Sequence, residues 1–227
     1  MPLIMCCFVS FYRHVKRVNY TQLILRIFTM ISFSRYFLLI LILFSGSLFA
    51  KSTHSPVQLL TEVGDQLFSE ISKVNNQGTA SQAEMQAVVN KHLMPHMDVK
   101  FVSYKLLGKH IKNIDRNQAV AFIGSVEHYL STTYAGALMK YTGQEIKFED
   151  DNKLASGDFA TVKTQIIDPN APTIDLHFKL RHAKDGSWKV YDIVAEGISL
   201  LSAKQKEVIQ RISEVGLAQV TTELSNK

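Results

Sequence analysis

Residues 173–181 read Thr-Ile-Asp-Leu-His-Phe-Lys-Leu-Arg, and apolar and polar side chains alternate along the whole stretch. Successive side chains of a β-strand point to opposite faces, so this alternation predicts a strand with one buried face. The turn sequences Asp168–Pro172 and Lys184–Gly186 bound the stretch, which predicts an antiparallel meander with its neighbours. The neighbouring candidate strands are 144–149, 159–167 and 187–195.

Helices are predicted both before and after this meander. The helices after it are predicted over 202–215, with Ser202 as the N-cap, and over 217–224. Helices packed on a twisted antiparallel sheet of about four strands make an α+β fold, and such a sheet with an apolar face can enclose an apolar cavity. The helical segments before the meander, where apolar residues recur at intervals of three and four, are 55–76, 82–93, 98–112 and 116–142.

The segment that ends at Ala50 has the parts of a secretory signal peptide. Arg35 precedes an apolar run from Tyr36 to Phe44, and Ser-Gly-Ser-Leu-Phe-Ala follows it. The run is about half the ~20 residues that a transmembrane helix needs, so a signal peptide over 1–50 is favoured over a retained membrane span. Residues 1–29 allow two interpretations, an upstream start misassigned as coding sequence or an extended basic region.

Charge and cysteine are unevenly distributed along the 227 residues. The formal charge is +5, but five of the 25 basic residues and no acidic residue precede Lys51, so residues 51–227 carry 20 charges of each sign. Cys6 and Cys7 also precede Lys51. A neutral, cysteine-free exported domain argues against a nucleic-acid partner and excludes disulfides, thiolate nucleophiles and cysteine metal sites there.

Motifs for catalysis and metal binding are missing. The sequence has no Gly-x-Ser-x-Gly, P-loop, dinucleotide-binding or His-Glu-x-x-His motif. His92 and His96 have the spacing of a zinc pair, but Pro95 interrupts the helix that would hold them, so no metal site is expected. Asp192 and Glu196 allow two interpretations, a general base or carboxylates that bind backbone amides. The second is favoured because no nucleophile or oxyanion donor accompanies them.

A basic segment precedes the longest predicted helix. Its five cations exceed the two carboxylates of the same stretch, Asp98 and Asp115. The segment is interpreted either as a docking patch for an acidic partner or lipid headgroup, or as a solvated basic face. The five cations are Lys100, Lys105, Lys109, Lys112 and Arg116.

The segment Trp188-Lys-Val-Tyr-Asp-Ile-Val-Ala-Glu-Gly-Ile-Ser199 resembles the most characteristic stretch of the MlaC family, also called the toluene-tolerance family. The resemblance covers nearly all of residues 56–225, and the order and spacing of several short motifs make it specific. Those motifs are Leu-Met-Pro-His-Met-Asp-Val-Lys at 93–100, Leu-Gly-Lys at 107–109, Tyr129 and Tyr134 in the long helix, and Thr-Gln-Ile-Ile-Asp-Pro-Asn at 164–170.

The resemblance implies a periplasmic phospholipid carrier of the Gram-negative envelope, with residues 51–227 as a single phospholipid-binding domain. Such a carrier shuttles lipid between an outer-membrane lipoprotein–porin complex and an inner-membrane ABC transporter with an MCE-domain subunit, which maintains outer-membrane asymmetry. The implied protein is a monomer without catalytic activity or cofactor, and phospholipid is its cargo. The alternative function is an enzyme on a cone-shaped α+β fold that uses Asp192 or Glu196 as a base toward an apolar small molecule.

Apolar residues of the strands and helices are expected to line the lipid cavity. The apolar stripe of the 116–142 helix is wider than a surface helix needs, which predicts a large apolar partner. On the strands, the predicted lipid-binding residues are Val162, Ile174, Leu176, Phe178 and Val190. From the predicted helices and the segments beside them come Phe101, Phe122, Val126, Tyr129, Ile198 and Leu201.

Overall fold

In the computed structural model, the described part of the chain forms four α-helices, then an antiparallel sheet, then two more α-helices. The structure describes residues 55–76, 78, 80–149 and 155–227, all within the unit Ser52–Lys227. The expected signal peptide over 1–50 lies outside the described residues. No helix of the described ranges combines the length and the apolar composition that crossing a bilayer requires.

Capping side chains define the starts of the first helices. The side chains of Ser81 and Asp115 each accept a hydrogen bond from the amide three residues later. The side chain of that later residue in turn accepts a hydrogen bond from the backbone N–H of the cap residue. Asp98 caps its helix through the Phe101 amide, at 3.0 Å. The helices are α1 (Pro56–Asn76), α2 (Gln82–His92), α3 (Val99–Leu107) and α4 (Arg116–Leu138), with 3₁₀ turns at Met94–His96 and Gly108–Asn113.

Gly108 ends α3 within the segment 98–112 that the sequence predicts as helical. Its φ of +50° lies in the left-handed region, which L-residues with a Cβ rarely adopt. A Cβ at this position would also lie 2.6 Å from Cδ1 of Ile209. The backbone conformation therefore favours glycine here, and a larger residue would also require the Ile209 side chain to move.

The sheet contains the four predicted strands and two strands of two residues each. Within the described residues its order is β1-β3-β4-β5-β6, β2 pairs with β3, and every pairing is antiparallel. The sheet with its helices confirms the α+β prediction. The strands are β1 (Glu145–Phe148), β2 (Ala155–Ser156), β3 (Phe159–Asp168), β4 (Ala171–His182), β5 (Trp188–Ala195) and β6 (Ile198–Ser199).

A β-bulge at Tyr191 changes which side chains of β5 share a face. Lys179 lies opposite Asp192, whereas the next residue, Leu180, lies opposite Val190, so Tyr191 is an extra residue on β5. In a regular strand Val190 and Asp192 would point to the same face. The bulge instead places Asp192 on the face of Lys179, and their charged groups lie 3.5 Å apart.

The last two helices are α5 (Leu200–Val215) and α6 (Leu217–Ser225). The predicted N-cap Ser202 is wrong, because Ser199 is the cap and its hydroxyl accepts the Ser202 amide at 3.0 Å. A cap accepts from the amide three residues later, so Ser202 is the donor of this bond. Arg211 of α5 joins α6 by two bonds to the carboxylate of Glu223, at 2.8 and 3.0 Å.

Buried apolar residues of the described chain form two cores. The first joins α1 and α2 to the inner face of the sheet, and Ile71, Val89 and Leu180 are fully buried in it. The second joins α3, α4, α5 and α6, with Phe122 and Leu107 at its centre. α4 contributes to both cores, which explains why its apolar stripe is wider than one partner requires.

Candidate functional site

An apolar cavity of about 490 Å³ lies between the sheet, α1 and the C-terminal part of α4. On the sheet side, the shared register of the strands produces the lining. Ile146, Ile166 and Ile174 lie side by side on β1, β3 and β4, and Phe148, Thr164 and Leu176 form the next row. One face of three strands thus forms a continuous wall.

The bulge in β5 extends this wall to the fourth long strand. Ile193 lies opposite Phe178, and both line the cavity, as does Val190. Val190 and Ile193 are three positions apart, and regular alternation would place them on opposite faces. The extra residue at Tyr191 lets both side chains point into the cavity.

The helical wall comes mainly from α1. Five of its residues line the cavity, at the intervals of three and four that define one face of a helix, and they are Leu60, Val63, Gly64, Leu67 and Phe68. A Cβ at Gly64 would meet the Phe148 ring at 3.7 Å, so helix and sheet approach closely here. The rings of Phe68 and Tyr141 are in contact, with their centroids 4.4 Å apart and their planes tilted by 35°. These residues were not predicted as lining, although the spacing along α1 is a signal that could have found them.

Four of the eleven residues predicted to bind lipid line this cavity, and they are Ile174, Leu176, Phe178 and Val190. Val162 lies next to Phe178 across the strands but is packed into the first core. Phe122 and Val126 are fully buried in the second core, and Tyr129 and Leu201 pack against it. Phe101 packs edge-to-face against Tyr191, and Ile198 is 63% exposed. The structure therefore does not bring these seven residues into the cavity.

The position of α4 explains why the lipid-binding residues predicted on this helix lie outside the cavity. Its first half is covered by the other helices of the second core, so Phe122 and Val126 do not reach the sheet. Its last turn and the residues that follow do reach the cavity, where Tyr134, Leu138 and Tyr141 contribute to the lining. Burial raises the pKa of the Tyr134 hydroxyl, so this group stays neutral at physiological pH.

The cavity lining is not completely buried. Ile174 of β4 and Leu200 at the start of α5 belong to the lining and are 43% and 46% exposed. Lys140, Gln144 and Asp168 add polar groups to the lining, and Gln144 donates a hydrogen bond to Asp168 at 3.2 Å. A mostly apolar cavity with a few polar groups can hold a molecule that is apolar over most of its length and polar at one end.

A sequence model of the family described as MlaC protein matches residues 61–226. The chain belongs to the MlaC family. The resemblance that rested on short motifs is thereby confirmed, and the matched range includes every residue that lines the cavity except Leu60.

Two known proteins show how far the likeness to this MlaC-family chain extends. The intermembrane phospholipid transport system binding protein MlaC of Haemophilus influenzae is 29% identical over 173 residues, which are 75% of this chain and 80% of that protein. A phospholipid-binding protein of Ralstonia solanacearum, solved in complex with a phospholipid, has a TM-score of 0.68 at 19% identity and covers 76% of this chain and 96% of its own. The likeness to the Ralstonia protein shows that the two chains share a fold.

In this MlaC-family chain, Asp192 holds the junction between the sheet and α5. Its Oδ1 accepts the Leu201 amide at 3.0 Å and its Oδ2 accepts the Ser199 hydroxyl at 2.8 Å. Glu196 likewise accepts the Asp175 amide at 2.7 Å. Neither carboxylate lines the cavity. Backbone anchoring therefore accounts for both groups, and their geometry offers no base directed at a bound molecule.

We predict that Asp192→Ala lowers the free energy of unfolding by about 2–3 kcal/mol, because it leaves a partly buried amide and a partly buried hydroxyl without their charged acceptor. Urea denaturation measures this loss. Asp158→Ala is the matched control, since its side chain is 84% exposed, and it should change stability by less than about 0.5 kcal/mol. Equal stabilities of the two variants would contradict the anchoring role of Asp192.

His92 and His96 do not form part of a metal centre in the described ranges, which contain no group of three or more His, Cys, Asp or Glu side chains placed to hold a metal ion. His96 lines the cavity instead. Burial lowers the pKa of the His96 imidazole, and the nearby charge of Lys189 lowers it further. His96 is thus neutral at physiological pH and compatible with an apolar lining.

The five cations of the basic segment are exposed on α3, the following 3₁₀ turn and the start of α4. Lys105 lies over the Phe101 ring at 5.3 Å, and Lys100 lies 5.9 Å from the centre of the Tyr104 ring. Within the part of the chain that the structure describes, none of the five lies within 4.0 Å of a carboxylate oxygen. Their charges are therefore available to an external group.

Proposed function

We propose that this protein binds a phospholipid in the apolar cavity and carries it as cargo across the periplasm. The observation that carries the proposal is the cavity itself, about 490 Å³ in volume, with walls that are mostly apolar and few charged groups among its lining residues. Membership of the MlaC family supports a role in lipid transport. The names of the Haemophilus and Ralstonia proteins support phospholipid as the ligand.

The physical need for such a cavity follows from the cargo. A diacyl lipid exposes ~30 methylenes to water when it leaves a bilayer, at a cost of about 24 kcal/mol if each contributes ~0.8 kcal/mol. A carrier lowers this cost by replacing the lost lipid contacts with apolar side chains. Leu60, Leu67, Ile166, Leu176 and Phe178 provide such contacts from both walls. No catalytic group is needed for this function.

Organic extraction and mass spectrometry of the protein, purified without delipidation, test the proposal. The expected result is a diacyl phospholipid at about one molecule per chain. Protein that carries no extractable lipid, and that takes up none from phospholipid vesicles, would contradict the carrier function. A bound steroid-like or polyketide-like molecule in place of phospholipid would favour the enzyme alternative.

The route is part of the proposal. An outer-membrane lipoprotein–porin complex and an inner-membrane ABC transporter with an MCE-domain subunit are the proposed partners, and the Haemophilus relative is named as part of an intermembrane phospholipid transport system. A cleaved signal peptide over residues 1–50 would deliver the protein to the periplasm. N-terminal sequencing should find Lys51 first, and an exported chain that starts before Ser47 would contradict the cleavage site.

The basic segment is the proposed docking surface for an acidic face of one of these partners. Reversing the charges of Lys109 and Lys112, both exposed, should weaken binding to the reconstituted MCE-domain complex about tenfold, because surface charge pairs are lost and repulsion replaces them. The control reverses Lys184 and Lys206, which are exposed but lie outside the segment. If both double variants bind as tightly as the wild type, the segment is a solvated face.

A further inference from the structure

His96 is a titratable side chain in a cavity wall that is mostly apolar. It ends the 3₁₀ turn Met94–His96, and both His96 and the next residue, Met97, belong to the lining. The turn is attached to the sheet, because Met97 forms a parallel bridge with Val190 of β5 and the Asp98 amide donates to the Val190 carbonyl at 2.8 Å. Backbone contacts therefore fix the position of His96 in the wall.

The imidazole of His96 is half-buried and has no polar partner in the described part of the chain. Its ring nitrogens form no hydrogen bond there, and no carboxylate oxygen lies within 4.0 Å of them. Burial lowers the pKa of His96, and the charge of Lys189 lowers it further. The Lys189 ammonium is held beside the turn, because it donates to the Pro95 carbonyl.

The acidic side chains nearest the turn are bound to other groups. Asp98, which follows the turn, forms an ion pair with Arg181 at 2.6 Å. The turn packs against α2 and β5, and each of these elements has one acidic side chain, which accepts hydrogen bonds from groups at the start of a helix. These two acids are Glu84 and Asp192, and the other titratable side chains of α2 and β5 are Lys91, His92, Lys189 and Tyr191.

Asp168 supplies the one carboxylate in the described lining, and it is too distant to neutralise a protonated His96. Asp168 lies opposite Ala171, at the start of β4. Val190, next to the turn that carries His96, lies opposite Leu180 instead. The β4 positions 171 and 180 are about 30 Å apart along the strand at ~3.3 Å per residue. The other titratable residues of the described lining are Tyr134, Lys140 and Tyr141.

Contact with water determines how much free energy the protonation of His96 costs. In a lipid-free cavity, water can solvate the imidazolium ion. Acyl chains that fill the cavity exclude this water and provide no hydrogen-bond acceptor, and a buried charge without a partner is strongly disfavoured. Bound lipid therefore favours the neutral imidazole. Because coupling between two binding events is reciprocal, protonation of His96 weakens lipid binding by the same factor.

We propose that His96 is a proton-binding site that competes with the lipid, so that the carrier releases its cargo in acid. This inference rests on the proposed phospholipid cargo and adds its regulation. Lipid affinity is constant well above the pKa that His96 has in the lipid-free protein, and it falls as the pH drops through that value, by at most about tenfold per pH unit for one proton. Since this pKa lies below the ordinary histidine value of about 6.5, the loss of affinity occurs at acidic pH.

Lipid binding at two pH values tests the inference. Lipid-free protein is equilibrated with phosphatidylcholine vesicles at about pH 7.5 and at about pH 5, and the protein-bound lipid is quantified by mass spectrometry. The phosphatidylcholine headgroup keeps its charge over this range, so a change in binding originates in the protein. Wild-type protein should bind the lipid about three- to tenfold more weakly at the lower pH.

Three variants assign the effect to His96. His96→Gln keeps a polar side chain that takes up no proton, so it should bind lipid equally at both pH values. His128→Gln is the matched control, because His128 is exposed on α4 and outside the lining, and it should keep the wild-type loss of affinity. Lys189→Gln removes the cation that opposes protonation, so it should move the midpoint of lipid release to higher pH. Circular dichroism at both pH values establishes folding, and His96→Asn replaces His96→Gln if the latter does not accumulate.

The outcomes distinguish this inference from the proposed function. Equal binding by the wild type at both pH values overturns the proton site and leaves the carrier function intact. Tighter binding in acid also overturns it, because the imidazolium would then attract the lipid phosphate. The same holds if His96→Gln keeps the wild-type loss of affinity, which would assign the effect to another group. Failure of the wild type to bind lipid at either pH overturns the proposed function itself.

Discussion

Leu176→Glu is expected to abolish co-purification of phospholipid. Leu176 lies in the centre of the sheet wall, between Thr164 of β3 and Ala195 of β5, and lines the cavity. A carboxylate at this position must keep its water, so an acyl chain could fill the cavity only by desolvating the charge or protonating it. That penalty is several kcal/mol, and each 1.4 kcal/mol is a factor of ten in affinity. Bound lipid should fall by a factor of about 100 or more.

The neighbouring residue provides the matched control. His177 follows Leu176 on β4, and its side chain points to the opposite face, where its cross-strand partner is Lys163. His177→Glu introduces the same charge one residue away and should retain lipid at the wild-type ratio. Circular dichroism and urea unfolding establish that both variants fold. A folded Leu176→Glu protein with wild-type lipid content would rule out this wall as part of the binding site.

The second large effect is a loss of stability caused by a substitution in the second core. Phe122→Ala should lower the free energy of unfolding by about 3–5 kcal/mol, because Phe122 is 0% exposed and its removal leaves a cavity among four helices. Phe159 is 48% exposed, and Phe159→Ala is the control that should cost much less. Urea denaturation of the two variants gives the comparison. If Phe122→Ala does not accumulate, Phe122→Leu should fold with a loss of less than about 1.5 kcal/mol.

Phe122→Ala also tests where lipid binds. The second core lies outside the cavity lining, so folded variant protein should retain phospholipid at the wild-type ratio. Loss of lipid at the same time as a small change in stability would indicate that the second core opens to hold the acyl chains. Equal stability of Phe122→Ala and Phe159→Ala would contradict the burial of Phe122.

The sequence was most informative where local pattern and tertiary environment agree. On β4 the alternation between Thr173 and Arg181 is regular, and it correctly identified Ile174, Leu176 and Phe178 as side chains of one face. The caps Asp98 and Asp115 are local features, because a cap and its amide are only three residues apart. The starts of these two helices could therefore be located from the sequence, whereas α3 and α4 end at Leu107 and Leu138, before the predicted ends at 112 and 142.

The sequence was least informative where the position of a side chain depends on distant elements. Phe122 and Leu138 lie on the same long helix, but α3, α5 and α6 cover one half of it and the cavity borders the other. The sequence of α4 alone does not show which half of the helix is covered by other helices and which half borders the cavity. The extra residue at Tyr191 is equally hidden, because Val190 and Asp192 match a regular strand until the pairing with Lys179 and Leu180 is known.

The bulge at Tyr191 also limits how this carrier can be adapted to other cargo. On one face of β5, Val190 and Ile193 form part of the cavity wall. On the opposite face, Asp192 binds the first turn of α5. A change in the length of β5 would therefore alter cargo volume and helix attachment together. Gly64 of α1 does not combine two such roles, and a Cβ added there would lie at an ordinary van der Waals distance from the Phe148 ring. Selection for larger or smaller lipids is thus expected to act through α1 and β1 while β5 stays constant in length.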